Sequence, residues 1–164
     1  MSKESTAHST KEALRLWLRL LTLTNMIEGR VRRRLRESYG ITLPRFDVMA
    51  ALYAAPEGLS MGEISRRCMV SNGNITGIVE RLEQEGMVTR RPRPEDRRRH
   101  LVRLTNAGRK AFAGMAADHE RWISAMLSGL SEAETRQLYG LLGKGKRSVL
   151  DSDEEEQLED RRDV

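Results

Sequence analysis

Residues 71–86 read SNGNITGIVERLEQEG and run directly into MVTRRPRPEDRRRHLVRLT at 87–105. In the first stretch Ile75, Ile78, Val79 and Leu82 recur at i, i+3, i+4 and i+7. That spacing is one apolar stripe of an α-helix. Gly73, Gly77, Glu80 and Gln84 fall on the opposite face, flanked by Asn74, Thr76 and Arg81. Ser71 is a good N-cap, which leaves backbone N–H groups and the positive end of the helix dipole free for an anion such as phosphate. Glycine inside a helix costs roughly 1 kcal/mol relative to alanine. Two glycines on the outward face therefore suggest close approach to another surface, and the major groove of DNA suits it. Asn pairs bidentately with adenine there, and a Thr methyl packs on a thymine methyl.

The segments on either side agree. Ser60 and Glu63 have the S-x-x-E spacing of a capping box. It opens a short helix with Ile64 and Cys68 on one side, and the break at Met69–Val70 leads into the polar helix. Two helices joined this way form a helix-turn-helix. Downstream, Met87–Thr89 and Leu101–Leu104 read as two strands. Between them Arg90, Arg91, Arg93, Arg97, Arg98 and Arg99 face only Glu95 and Asp96. Pro92 and Pro94 are expected to keep the tip from pairing as regular strand. Arginine at such a tip suits a narrow minor groove or a phosphate.

These stretches resemble the MarR family of transcriptional regulators. SNGNITGIVERLEQEGMV is similar to the family's recognition helix and its exit. PEDRRRHLVRLT matches the wing signature D-x-R followed by L-T, here Asp96, Arg98, Leu104 and Thr105. TLPRFDVMAALY at 42–53 resembles the helix before the DNA-binding pair. The resemblance runs from about residue 12 to about residue 150. It implies a winged helix-turn-helix, mainly α with a small β-hairpin wing, in an intertwined homodimer on double-stranded DNA. It also implies a DNA-contact set of Ser71, Asn72, Gly73, Asn74, Thr76, Gly77, Arg81, Arg90, Asp96, Arg97 and Arg98. Arg98 would enter the minor groove, with Asp96 orienting it and Arg97 or Arg99 as the neighbouring alternatives. Arg81 would lie near the DNA backbone or in an internal ion pair.

At 164 residues, with 38% hydrophobic and 4% aromatic content, the chain is lean for a self-sufficient core and suits completion by a second copy. We expect a flexible stretch at 1–10, one domain over 11–150 and a disordered acidic tail at 151–164. Within the domain, dimer helices would occupy 11–38 and 105–149, and the winged helix 42–104. Ser131 and Glu134 form a second capping-box pair, and Thr105 a third helix start. The net charge is +5 even with the acidic tail included. No apolar run reaches the ~18 residues of a membrane span, and the N-terminus has no signal-peptide pattern, so a cytoplasmic protein is expected. One cysteine excludes an internal disulfide. His8, His100 and His119 are scattered, and no catalytic or phosphate-loop motif occurs, so no enzyme, cofactor or metal is expected.

The resemblance further implies a small-molecule effector. Trp17, Met26, Tyr39, Phe46 and Met49 are candidates to line an apolar cavity, each equally readable as core. Arg32, Arg33, Arg34 and Arg36 exceed what a dimer helix needs, and suit a solvated face, a phosphate contact or a site for an anionic effector. The SNGNITG form of the recognition helix resembles regulators of aromatic-acid degradation, so an aromatic acid or its CoA thioester is the expected ligand, its phosphates meeting those arginines. Two alternatives stand beside this: an architectural protein binding DNA without sequence preference, and a redox-responsive regulator using Cys68.

Overall fold

The computed structural model describes residues 2–68, 72–92 and 100–160, with side chains over 10–68, 73–92 and 100–152. The order is α1 (Ser2–Tyr39), α2 (Leu43–Tyr53), α3 (Met61–Cys68), α4 (Asn72–Gln84), β1 (Val88–Pro92), β2 (His100–Leu104), α5 (Asn106–Met126) and α6 (Glu132–Asp160). The mainly helical architecture with one antiparallel hairpin is the one expected. The chain divides into two compact units, Met1–Ile123 and Ser124–Val164, where a single domain over 11–150 was expected. The apolar spacing of α5 continues across residue 123, so the sequence carries no mark there.

Both ends carry more helix than their composition suggested. α1 begins at Ser2, and α6 continues through the acidic stretch to Asp160. Neither 2–12 nor 146–160 contains Gly or Pro, and a nucleated helix propagates through residues of moderate propensity at little cost.

The core of the first unit lies beneath the helix-turn-helix. Leu35, Val48, Met49, Leu52, Ile64, Ile75, Val79, Leu82 and Val102 are fully buried. The Ile75–Val79–Leu82 stripe is thus the inner face of α4, as its periodicity requires. Truncating one such Leu or Ile to Ala costs about 2–5 kcal/mol. α4 ends in a Schellman turn: Met87 N–H donates to Leu82 O (2.8 Å) and Gly86 N–H to Glu83 O (3.0 Å). Gly86 has φ +71°, which suits a residue without Cβ.

In the hairpin Val88 pairs with Leu104, Arg90 with Val102 and Pro92 with His100. Pro92 therefore lies inside β1, contrary to the expected loss of pairing. The reason is a third, one-residue strand. Leu59 N–H donates to Val102 O (3.0 Å) and Val102 N–H to Leu59 O (2.8 Å). Val102 spends both backbone groups on Leu59, so Arg90↔Val102 is a non-hydrogen-bonded pair. Two residues along, Pro92↔His100 is of the same type, and the missing N–H of Pro92 faces away from β2.

In the second unit α6 starts with the expected capping box. Ser131 N–H donates to Glu134 Oε2 (2.8 Å) and Glu134 N–H to Ser131 Oγ (3.3 Å). The bonds from Ser131 hold the Glu134 carboxyl below its usual range. Tyr139, Leu141, Leu142, Val149 and Leu150 stand exposed along α6.

Candidate nucleic-acid interface

The first capping box forms as its spacing requires. Ser60 N–H donates to Glu63 Oε2 (2.8 Å) and Glu63 N–H to Ser60 Oγ (3.3 Å). It starts α3, whose Ile64 is buried against the neighbouring helices. Packing of the apolar stripe turns Gly73, Asn74, Thr76, Gly77, Glu80, Arg81 and Gln84 outward. A Cβ on Gly73 or Gly77 would meet nothing within 4 Å. Neither glycine is needed for internal packing, so their cost to the helix has no internal return. The Asn74 amide makes no side-chain hydrogen bond among the described residues and is free to pair outward. Ser71, Asp96, Arg97 and Arg98 lie outside the described residues, as does the side chain of Asn72.

Electrostatics distinguish the arginines that sequence reasoning grouped together. Arg81 Nε pairs with Glu85 Oε1 (3.0 Å), and Arg45 of α2 pairs with the other oxygen of the same carboxylate. Burial pushes the Glu85 carboxyl up, but the hydrogen bonds from Arg81 and Arg45 outweigh it and hold the group below its usual value. Arg81 thus takes the internal ion pair of its two expected roles. Arg90, in the expected DNA-contact set, has its Nε 3.2 Å from Glu83 Oε2, coupling the wing base to α4. Thr105 secures the same junction. Its Oγ1 donates to Gly86 O (2.7 Å) and accepts from Gly108 N–H (3.0 Å), capping α5 as expected.

The expected effector residues do not converge. Trp17 and Met26 are 56% and 53% exposed. Phe46 and Met49 are core, Phe46 packing on Phe112 at 5.3 Å and on His119 at 5.0 Å. Tyr39 donates to Asp118 Oδ2 (2.5 Å), a bond that pushes the phenol up and holds the carboxyl down. The arginine run of α1 also separates. Arg34 sits over the Trp122 ring at 5.7 Å, and Arg33 is exposed. Arg32 pairs with Glu28. Arg32 and Arg36 line a groove of about 600 Å³ together with Arg45, Asn74, Gly77 and Arg81. The i, i+4 face of α1 that carries Arg32 and Arg36 thus borders the outward face of α4.

Sequence reasoning missed a cavity of about 440 Å³ among α1, α2 and α5, walled by Thr24, Ile27, Glu28, Asp47, His119 and Ile123. Burial and the nearby Glu28 carboxylate push Asp47 up, and burial pushes His119 down. Its charged residues carry no apolar periodicity, so no sequence signal marked them. Burial, with the Asp47 carboxylate nearby, also pushes the Cys68 thiol up, which makes it a poor source of thiolate. Among the described residues no three His, Cys, Asp or Glu side chains group to hold a metal, and no helix is long and apolar enough to cross a membrane.

A model of the MarR family matches residues 39–99. The chain is 33% identical over 110 residues to the HTH-type transcriptional regulator YdgJ of Bacillus subtilis, covering 67% of this chain and 66% of that protein. It is 36% identical over 106 residues to the transcriptional activatory protein BadR of Rhodopseudomonas palustris, covering 63% of this chain and 60% of that protein. The chain thus spans somewhat under two thirds of the length of these two relatives. Among solved structures, a MarR family transcriptional regulator from Silicibacter pomeroyi superposes with a TM-score of 0.70 at 33% identity, covering 88% of this chain and 96% of that one.

Proposed function

The chain belongs to the MarR family of winged helix-turn-helix transcriptional regulators, and from that premise we propose that it is a ligand-released repressor bound as a homodimer to a pseudo-palindromic operator. The observation that carries the reading is the outward face of α4. Gly73 and Gly77 leave it without side chains, and the free Asn74 amide stands between them. That combination suits a helix reading base edges at short range. The expected contacts at Ser71, Asn72, Thr76 and at Asp96, Arg97 and Arg98 of the wing belong to the same proposal. The homodimer is supported by the apolar residues that one copy leaves exposed, among them Leu14, Trp17 and Leu18 on α1.

For the releasing ligand we keep an aromatic acid or its CoA thioester, supported by the form of the recognition helix. Repression is the proposed sign, with BadR an activator by name. The test is affinity for genomic fragments recovered with the protein, measured against scrambled duplex at one fixed salt concentration, with and without a panel of aromatic acids and thioesters. Equal affinity for both duplexes would replace the regulator with an architectural protein. Release by none of the panel would remove the ligand class and leave the DNA reading intact.

A further inference from the structure

We propose that Arg32 and Arg36 of α1 form a second, sequence-independent contact with DNA, seating a backbone segment in the groove beside the recognition helix. The inference rests on the DNA-binding reading above and assigns to DNA two arginines for which the sequence left a solvated face, a phosphate contact and an effector site open.

Three observations carry it. The first is continuity. The groove of about 600 Å³ is bounded on one side by Asn74, Gly77 and Arg81 of α4 and on the other by Arg32 and Arg36. A duplex held against Asn74 and Gly77 brings its sugar–phosphate chain to that opposite wall. The second is charge. Four guanidiniums line the groove, those of Arg32, Arg36, Arg45 and Arg81. Glu28 pairs with Arg32, and Glu85 pairs with both Arg45 and Arg81. Two carboxylates against four guanidiniums leave a surplus of two positive charges. Arg36 has no ion pair among the described residues, and Arg32 is held only by an exposed i, i+4 pair of the kind worth less than the thermal energy. Phosphate displaces such a partner readily. The third is the floor. Leu43, Pro44 and Ile78 present apolar surface between the charged walls, which suits a deoxyribose ring between two phosphates better than a free inorganic anion.

The chemistry recognised is a phosphate ester, and both DNA and a soluble phosphate ester such as a thioester cofactor carry one. The experiment separates them. Full-length wild type, Arg32→Ala, Arg36→Ala, Arg36→Lys and Arg30→Ala are titrated by fluorescence anisotropy with a recovered genomic fragment and with mixed-sequence duplex across a salt series. Arg30 is exposed on α1 and does not line the groove. Loss of one phosphate contact lowers the slope of log K against log salt by about 0.9. Each substitution removes one contact from each copy of the proposed dimer, so Arg32→Ala and Arg36→Ala should each lower it by about 1.8, and should weaken both duplexes by the same factor. Arg36→Lys should restore the slope and Arg30→Ala should leave it unchanged. Circular dichroism of each variant checks that the helices persist.

Wild-type slopes in Arg32→Ala and Arg36→Ala overturn the inference, while wild-type preference for the genomic fragment would keep the proposed function standing. Absence of any DNA binding by the wild type removes that function itself. Calorimetry with inorganic pyrophosphate supplies the remaining arm. If wild type binds it, Arg36→Ala does not, and the DNA slope is unaltered, the groove serves a free phosphate ester and the assignment to DNA is wrong.

Discussion

A Cβ on Gly108 would lie 2.0 Å from the carbonyl oxygen of Met87 and 2.9 Å from its carbonyl carbon. The first turn of α5 therefore rests directly on the backbone where α4 hands over to β1. Gly108→Ala has no flexible side chain to displace. It should cost about 1–3 kcal/mol, the range for overpacking, and lower the denaturation midpoint measurably. A variant as stable as wild type would mean that α5 slides along this contact without penalty.

Gly77→Leu should separate stability from affinity. A side chain there meets only open space, so the helix gains up to about 1 kcal/mol of propensity. The same side chain holds α4 off a groove floor. Thermal melts and anisotropy titrations should move in opposite directions, and normal operator affinity would mean that this face never closes on DNA.

Asn74→Ala should relax base choice rather than weaken all duplexes alike, by roughly 1–3 kcal/mol of discrimination. A matched titration of operator and scrambled duplex reads the difference directly. Equal losses on the two would assign Asn74 to the backbone.

Asp47 gives a pH signature. Its folded pKa is raised above 3.8 by burial and by Glu28. The folded state then holds this proton more tightly than the unfolded state does. The group consequently weakens the fold as pH rises from that value through its raised folded pKa, and the loss is complete above it. Asp47→Asn should stabilise the protein at neutral pH, with the gain shrinking on acidification toward pH 3.8. Chemical denaturation at a series of pH values tests this, and a gain independent of pH would show that the carboxyl is fully hydrated.

Cys68→Ser should leave the response to peroxide unaltered, because a half-buried thiol with a raised pKa offers little thiolate. Peroxide-dependent release of DNA by wild type but not by Cys68→Ser would restore the redox reading.

The helix-turn-helix was legible because its information is local. The Ile75–Leu82 stripe, the Ser60–Glu63 and Ser131–Glu134 boxes and the Thr105 cap each depend on residues a few positions apart. Long-range geometry was not. Leu59 joins the wing through one residue, too short to leave an alternation. Glu85 binds Arg45, 40 positions away in sequence, and nothing in either segment announces the other. The arginines at 32–36 were visible as a cluster, yet a helix distributes consecutive side chains around its axis, so Arg34 reached Trp122 while Arg32 and Arg36 reached the groove.

Thr105 touches Gly86 through one side-chain oxygen and Gly108 through the same atom, while Leu59 holds the hairpin from its other edge. Reader, flap and the root of the next helix are consequently clamped like the blades of a fixed caliper. The angle between α4 and its wing base is set at folding, leaving little for a signal to adjust within one copy. In the proposed dimer, regulation then falls to the span between calipers, and a small change in that span shifts both α4 helices at once against the fixed pitch of the duplex.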